Sequence, residues 1–297
     1  MIARGPEAVA LVAGALAVAM WGAVPVGTRF LVDGEAQRIG PLALVGLRFG
    51  LSALVLLPAL LRARPWGWPG ADLRLAVLAS ALGVIGYNLP VALGQVSASA
   101  GVTALVIATE PLWILLLWSL KRRQMPGRAQ GAGALLALVG IACLAVPGLV
   151  GMGPGASKGL SWVVLGAFCW SAYCVVVVPL VQRHGALSVT ATTVALGALP
   201  LLSLAAPDLS RMEGLAGADL ALIALLALGS TVLATLAWNL AVARLPGPGS
   251  GQLLFAIPVV GLLAGHFLLG EALTARSWIA FGCIGWGLWL GQRRPEA

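Results

Sequence analysis

Charge is what this chain has least of. Lys, Arg, Asp and Glu make up 9% of its 297 residues, against 60% hydrophobic residues. Long polar segments are missing as well: the longest connections, near 32–40, 62–72, 149–157 and 207–218, are short and rich in Pro and Gly. None is large enough to fold as a separate catalytic domain. A phosphate-cradling loop is absent, because Lys158 follows Gly153-Pro154-Gly155-Ala156-Ser157 without the Gly that must precede the Lys. ATP-driven pumping by this chain alone is therefore not expected. With two His and no Asp within the apolar stretches, the paired motifs of a membrane-embedded enzyme are also missing. The four cysteines, Cys143, Cys169, Cys174 and Cys283, lack the close spacing of a metal site and read as small apolar side chains. Neither metal, cofactor nor disulfide is expected.

Apolar runs are what is present. Ten stretches, at 8–31, 41–62, 72–94, 99–120, 127–148, 158–181, 186–206, 219–243, 248–270 and 275–291, account for nearly the whole chain. A hydrocarbon core ~30 Å thick needs roughly 20 helical residues at ~1.5 Å rise each. The every-second-residue alternation of a β-barrel strand is absent. The expectation is an all-α, multi-pass membrane protein with ten transmembrane helices.

The formal charge of +8 reports orientation rather than a nucleic-acid partner. With a cytoplasmic N-terminus, Arg4, Arg62, Arg64, Arg74, Lys121, Arg122, Arg123, Arg128, Arg183, Arg244, Arg293 and Arg294 fall inside, and Arg29, Arg38, Lys158, Arg211 and Arg276 outside. That bias is the one expected of cytoplasmic loops. The acids Asp33, Glu35, Asp208, Glu213 and Asp219 fall mostly outside. Both termini are expected in the cytoplasm of a cell with an inner membrane. The first stretch runs on to Phe30 and Leu31, longer than a signal-peptide core, and reads as a retained helix.

Internal repetition organises the rest. Trp21-Gly22-Ala23 in the first helix pairs with Trp170-Ser171-Ala172 in the sixth, Tyr87-Asn88-Leu89 with Trp238-Asn239-Leu240, and Glu110-Pro111-Leu112 with Ile257-Pro258-Val259. The offsets are 149, 151 and 147 residues, close to half the chain. Five helices per half is an odd number, so the second half enters the membrane from the opposite side. Two inverted five-helix repeats, 8–148 and 158–291, around a central cavity are a recurring plan of secondary transporters, with the substrate near mid-membrane.

These residues, together with Pro41 followed by Arg48-Phe49 and with Leu269-Gly270-Glu271 closing the ninth helix, resemble the EamA type of the drug/metabolite transporter superfamily over essentially the full length. The resemblance implies ten helices in two inverted halves, the fifth and tenth peripheral, and small organic substrates such as amino acids, metabolites or drugs. Export, as its direction, comes from the resemblance alone. In one respect the chain departs: the fourth helix ends Ser119-Leu120-Lys121-Arg122-Arg123, without the Gly-Glu that closes the ninth. The acid that small four-helix multidrug members carry in their first helix has no counterpart here either.

Ionisable groups deep in a membrane need a partner, a watery cavity or a neutral form. Glu110 stands midway along the fourth helix before Pro111, where a proline frees a backbone carbonyl. It reads as a proton carrier, a partner for a substrate amine, or one end of a structural ion pair with Arg48. Asn88 and Asn239, each beside an aromatic residue (Tyr87 and Trp238), suit either a cavity lining or a helix–helix bond. Of the eleven Trp, Trp66, Trp68, Trp162, Trp278 and Trp289 stand near span ends as an aromatic belt. Trp21, Trp170 and Trp238 lie deeper and, with Tyr173, are candidate substrate contacts or core packing. His266 is a candidate proton relay or a packed imidazole. Gln95 and Gln252, near span ends, are expected in solvent. The small-residue spacings Gly46-x-x-x-Gly50, Gly261-x-x-x-Gly265 and Gly287-x-x-x-Gly291 allow close helix approach. Of the prolines inside spans, Pro25, Pro111 and Pro258 are the hinge candidates.

The function expected is alternating-access transport of amino acids or related metabolites, by a monomer or weak homodimer, without catalysis. A multidrug exporter of cationic compounds and a passive channel are the other readings. A channel requires polar stripes along several helices, whereas the polar positions here cluster at mid-span.

Overall fold

A computed structural model describes residues 5–32, 39–98, 100–149, 156–209, 215–245, 247–270 and 272–291. Arg4, Asp33, Glu35, Arg38, Arg211, Glu213, Glu271, Arg293 and Arg294 lie outside them, and with them part of the charge asymmetry read from the sequence.

The described residues form helices and no strands. In hydrocarbon every backbone N–H and C=O must be satisfied within its own segment, which leaves helices as the solution for these Leu-, Ala- and Val-rich runs. In order they are α1 (Pro6–Val32), α2 (Pro41–Ala63), α3 (Gly70–Ser80), α4 (Gly86–Gln95), α5 (Ala100–Ile107), α6 (Glu110–Arg122), α7 (Arg128–Leu149), α8 (Ala156–Val176), α9 (Val178–His184), α10 (Ala186–Leu209), α11 (Gly217–Leu226), α12 (Ala234–Arg244), α13 (Pro248–Gln252), α14 (Ile257–Leu269) and α15 (Ala275–Gly291). Eight stretches are long and apolar enough to cross a membrane: Glu7–Thr28, Pro41–Gly67, Gly70–Gln95, Thr103–Arg122, Lys158–Val176, Ala186–Leu209, Gly217–Arg244 and Ser250–Leu268. They coincide with eight of the ten expected segments. The fifth and tenth correspond to α7, whose apolar part spans Arg128–Leu144, and to α15, which has 17 residues.

Several rods are interrupted rather than continuous. α3 passes into α4 through a π-helical segment, Ala81–Ile85, and α11 passes into α12 through a second, Ala227–Leu233. Single π turns of this sort mark functional sites more often than ordinary helix does. α5 and α6 are separated by a turn at Ala108-Thr109, with Pro111 in the first turn of α6. The same happens before Pro258, where the turn Leu253–Ala256 separates α13 from α14. Pro in a first helical turn loses no hydrogen bond, so each break falls where the proline costs least.

Packing follows small residues. Between helices in lipid there is no hydrophobic drive, so contact depends on close approach and interhelical bonds. α2 packs along α10 and α7 along α15. α1 lies against α12 and α14, while α8 lies against α4 and α6. A Cβ at Gly46 would lie 2.5 Å from the Ala205 Cβ, and one at Gly133 would lie 2.4 Å from the Gly287 carbonyl oxygen. Val12, Leu54, Leu199, Leu225 and Leu268 project from the outer surface, as expected of a body surrounded by acyl chains.

Candidate functional site

α1 and α8 bring Trp21 and Trp170 together at the centre of the bundle, ring centroids 5.2 Å apart and nearly perpendicular. Trp238 of α12 joins them, 5.6 Å from Trp21 and 6.5 Å from Trp170. Tyr87 of α4 stands 5.3 Å from Trp170, and Tyr173, one turn along α8, stacks on it at 5.2 Å. Five aromatic rings from four helices thus form one cluster around Trp170. Edge-to-face and offset contacts at these separations are the favourable ones for aromatic quadrupoles. The cluster is layered: Trp238 and Tyr173 are fully enclosed, Trp170 is 7% exposed, and Trp21 and Tyr87 are half-buried. Trp21 and Tyr87 are therefore its most exposed members.

Polar tips of the rings are held from behind. The Trp21 indole N–H donates to the Ser230 carbonyl at 2.9 Å, and that of Trp238 donates to the Cys174 sulfur at 3.2 Å. Tyr173 donates its hydroxyl to Asn239 Oδ1 at 2.8 Å, and Asn239 Nδ2 donates to Thr190 Oγ1 at 2.9 Å. Asn239 therefore ties α8, α10 and α12 through one amide. Asn88 Nδ2 donates to the Val84 carbonyl at 2.9 Å, within the first π segment. Both Asn side chains are engaged with protein groups.

The two π segments explain several of these bonds. A π turn displaces carbonyls from the α-helical ladder, and in lipid those oxygens need other donors. At the first, Asn88 supplies one. At the second, Ser52 Oγ donates to Ala227 O at 3.2 Å, and Trp21 reaches Ser230 O.

Glu110 begins α6 and is 2% exposed, with no hydrogen-bond partner for its Oε1. Its carbonyl oxygen accepts from Ser171 Oγ at 3.1 Å, which seats the α5–α6 break against α8 beside Trp170. Arg48 Nε donates to Thr231 Oγ1 at 3.2 Å. No ion pair joins these two described residues, Glu110 and Arg48, so the structural alternative raised for Glu110 is not seen, and Arg48 bonds Thr231 instead. Glu110 has Ile257 as its counterpart before the second break, where the Ile257 carbonyl faces Gly22; a Cβ there would lie 2.9 Å from it.

The remaining candidates lie apart. His266 is in the last turn of α14 with Phe267 at 5.1 Å. Pro25 is inside α1 on its exposed side, whereas Pro111 and Pro258 stand at the two breaks. Gln95 is exposed as expected, but Gln252 is not: it is 3% exposed, with neither amide atom partnered. The reason is α15, whose Gly291 has no side chain to hold the amide away. Trp66, Trp162, Trp278 and Trp289 are exposed, as a belt requires, but Trp68 stacks on His184 at 3.9 Å.

That stack belongs to a group the sequence reading missed. Asp72 forms an ion pair with Arg183 and bonds His184 Nε2 at 2.8 Å, joining the start of α3 to the end of α9. Asp72 is 4% exposed, and Asp219, 5% exposed, accepts from the Ala216 N–H at 2.9 Å. The expectation of no Asp within the spans fails at these two helix starts. The signal was available: Gly70-Ala71-Asp72-Leu73 recurs as Gly217-Ala218-Asp219-Leu220, offset by 147 residues. Thr190, Ser171 and Ser230 carried no such signal, since isolated hydroxyls occur throughout apolar helices.

Comparison with known proteins matches the chain to the EamA-like transporter family at residues 8–146 and again at 157–291. An uncharacterized transporter of Archaeoglobus fulgidus is 27% identical over 94% of this chain and 97% of its own length. A probable terminal-alkyne amino-acid exporter of Streptantibioticus cattleyicolor is 31% identical over 67% of this chain and 66% of its own. The inner membrane transporter YedA of Escherichia coli, uncharacterized, is 26% identical over 89% and 84%. One crystal structure, at 22% identity, superposes with a TM-score of 0.79 over 95% of this chain and 96% of that one, and shares the fold. This multi-pass membrane protein belongs to the EamA-like transporter family of the drug/metabolite transporter superfamily.

Proposed function

We propose that the protein is a secondary transporter that moves amino acids or related small metabolites across the inner membrane, outward, by alternating access. The observation that carries this reading is the convergence of Trp21, Tyr87, Trp170, Tyr173 and Trp238 into one partly open cluster at mid-bundle. Trp21, Tyr87, Trp170 and Glu110 are its substrate contacts, and Asn239 with Tyr173 holds the wall behind them. Asn88 and Trp238 complete that wall. Arg48 and His266 are the remaining candidates for coupling, His266 at a distance from the cluster in the last turn of α14.

Two inverted five-helix halves, 8–148 and 158–291, provide the moving parts. Three features support that plan. The π segments fall before Asn88 and before Asn239, and the helix breaks fall at Pro111 and Pro258. Each half's first long helix packs against the other half's third and fourth: α1 on α12 and α14, α8 on α4 and α6. The family model matches twice, once in each half. Rocking about the breaks exposes the cluster to one side and then the other, with Pro25 giving α1 compliance. Both termini stand in the cytoplasm, and the protein works as a monomer or weak homodimer without cofactor.

The amino-acid class draws support from the exporter relative, whose name states that cargo. Flux of labelled amino acids into proteoliposomes, with and without a pH gradient, tests the reading. Saturable flux that unlabelled substrate competes away is expected. Flux that rises linearly with concentration would make the protein a passive channel.

A further inference from the structure

We infer that Trp68 and Asp72 of the first half, with Arg183 and His184 of the second, form a latch that shuts the cytoplasmic end of the solute path. This rests on the transport reading and on the orientation proposed with it, and supplies the gate on that side.

Two repeated helix starts differ at one residue. Gly70-Ala71-Asp72-Leu73 follows Pro69, whereas Gly217-Ala218-Asp219-Leu220 follows Ala216. In the second copy Asp219 Oδ2 accepts from the Ala216 N–H at 2.9 Å and closes the first turn of its own helix. Proline has no N–H to give, so Asp72 cannot close α3 in that way. Its carboxylate turns to the other half of the chain instead. Arg183 Nη1 donates to Oδ1, and His184 Nε2 lies 2.8 Å from Oδ2. The helix dipole favours an acid in this turn. It does not account for the burial of Asp72 against two basic side chains from the end of α9.

The imidazole is held on its face as well as its edge. Trp68 stacks on His184 with centroids 3.9 Å apart and planes 11° from parallel. The Trp68 indole N–H donates to the Ala63 carbonyl at 3.3 Å, which ties the ring to the first half. α9 is tied to the second, because Gln182 Nε2 donates to the Ala243 carbonyl of α12 at 3.1 Å. The junction therefore joins two bodies, each anchored on its own side. Arg183 is more than half exposed, so the charges are rehydrated when they part. A junction of this kind opens at lower cost than one at mid-membrane.

Both arms of the latch lead to the aromatic cluster. Asp72 begins the rod of α3, the first π segment and α4, which carries Tyr87. His184 ends the rod of α8 and α9, which carries Trp170 and Tyr173. One apolar core contains Trp170 and Trp238, continues through Ala76, Ala79, Val177 and Val181, and packs against Trp68. With the latch made, as in this structure, α3 and α9 close the way from the cluster to the cytoplasm. Withdrawal of Trp68 and Asp72 from His184 opens it.

Counterflow of labelled phenylalanine and leucine, in membrane vesicles of both orientations, tests the latch. Asp72→Asn, Arg183→Gln and the exchanged pair Asp72→Arg with Arg183→Asp are set beside the native protein, with thermal midpoints to confirm folding. Loss of the latch enlarges the population that binds from the cytoplasm and depletes the one that binds from outside. Asp72→Asn should therefore lower half-saturation on the cytoplasmic face and raise it on the outer face, about threefold or more in one direction each. Arg183→Gln should do less, and the exchanged pair should return toward native values. Spin labels on Arg74→Cys and Leu187→Cys, with the four native cysteines changed to Ala, read the opening without any solute. Both positions are exposed, one on each side of the junction. The long-distance population should grow at least about tenfold in Asp72→Asn. Unchanged label distances in folded Asp72→Asn overturn the latch, as does a half-saturation that stays put or moves the same way on both faces. If the native protein carries neither amino acid while Asp72→Asn still lengthens the label distances, the amino-acid reading falls and the latch stands.

Discussion

Replacing Asn239 with Leu removes one amide and strands two hydroxyls. The native side chain is fully enclosed, accepts from Tyr173 at 2.8 Å and donates to Thr190 at 2.9 Å. Leu keeps the branched outline of the side chain and is bulkier, so no cavity opens and the lost term is polar. An interhelical hydrogen bond within a membrane protein contributes about 0.6 kcal/mol, up to about 1.7. A buried hydroxyl left without a partner costs about 1–3 kcal/mol. Two such bonds joining three helices give an expected destabilisation of about 2 kcal/mol for Asn239→Leu. Tyr173→Phe, which removes only the hydroxyl, should cost about 1 kcal/mol. Because the two changes share one bond, the double variant should be less destabilised than the singles combined, with a coupling of about 0.5–1.5 kcal/mol. Unfolding in mixed micelles titrated with dodecyl sulfate measures all four proteins, and counterflow on the same preparations reports solute binding. Additive costs would show that the two side chains do not cooperate. A stable Asn239→Leu protein that has lost solute affinity would make Asn239 a direct contact and refute its role as a clamp.

Two further outcomes follow from the geometry. Gly133→Val places its Cβ 2.4 Å from the Gly287 carbonyl and 2.7 Å from the Gly291 backbone nitrogen, atoms that cannot turn aside. It should force α7 from α15 and lower stability by about 1–3 kcal/mol, in the range of overpacking, and the same unfolding titration reads it. Pro258→Ala restores a donor at the second break and stiffens it, so maximal counterflow rate should fall severalfold with half-saturation little changed. Weakened affinity at an unchanged maximal rate would reject the hinge.

Much of this molecule is legible in its sequence because lipid leaves few choices. A run of about 20 apolar residues must be a helix, so most span boundaries followed from composition. The aromatic cluster was legible through repetition: Trp21 and Trp170 stand out by their offset and meet in space, whereas Asn88 and Asn239, marked by a similar offset, bond to Val84 and to Tyr173 and Thr190. The π segments were not legible. They arise from tertiary bonds such as Ser52 to Ala227, which leave no local pattern in Ala81–Ile85 or Ala227–Leu233. Arg48 misled for a related reason: charge suggests a charged partner, yet Thr231 satisfies its Nε. Gln252 was misplaced because its burial depends on Gly291, 39 residues away on α15. The Asp72–Arg183–His184 group escaped because its members come from two connections distant in sequence, although the repeated Gly-Ala-Asp-Leu marked one of them.

The central claim is that the ring cluster around Trp170 binds the transported solute. Amino-acid counterflow by Trp170→Ala, set beside Trp289→Ala on the exposed belt, tests it most directly. The account predicts that Trp289→Ala saturates at the native concentration. Trp170→Ala, still folded, should saturate at a concentration at least about tenfold higher or fail to transport. Native half-saturation in Trp170→Ala would contradict the claim and move the binding site elsewhere in the bundle.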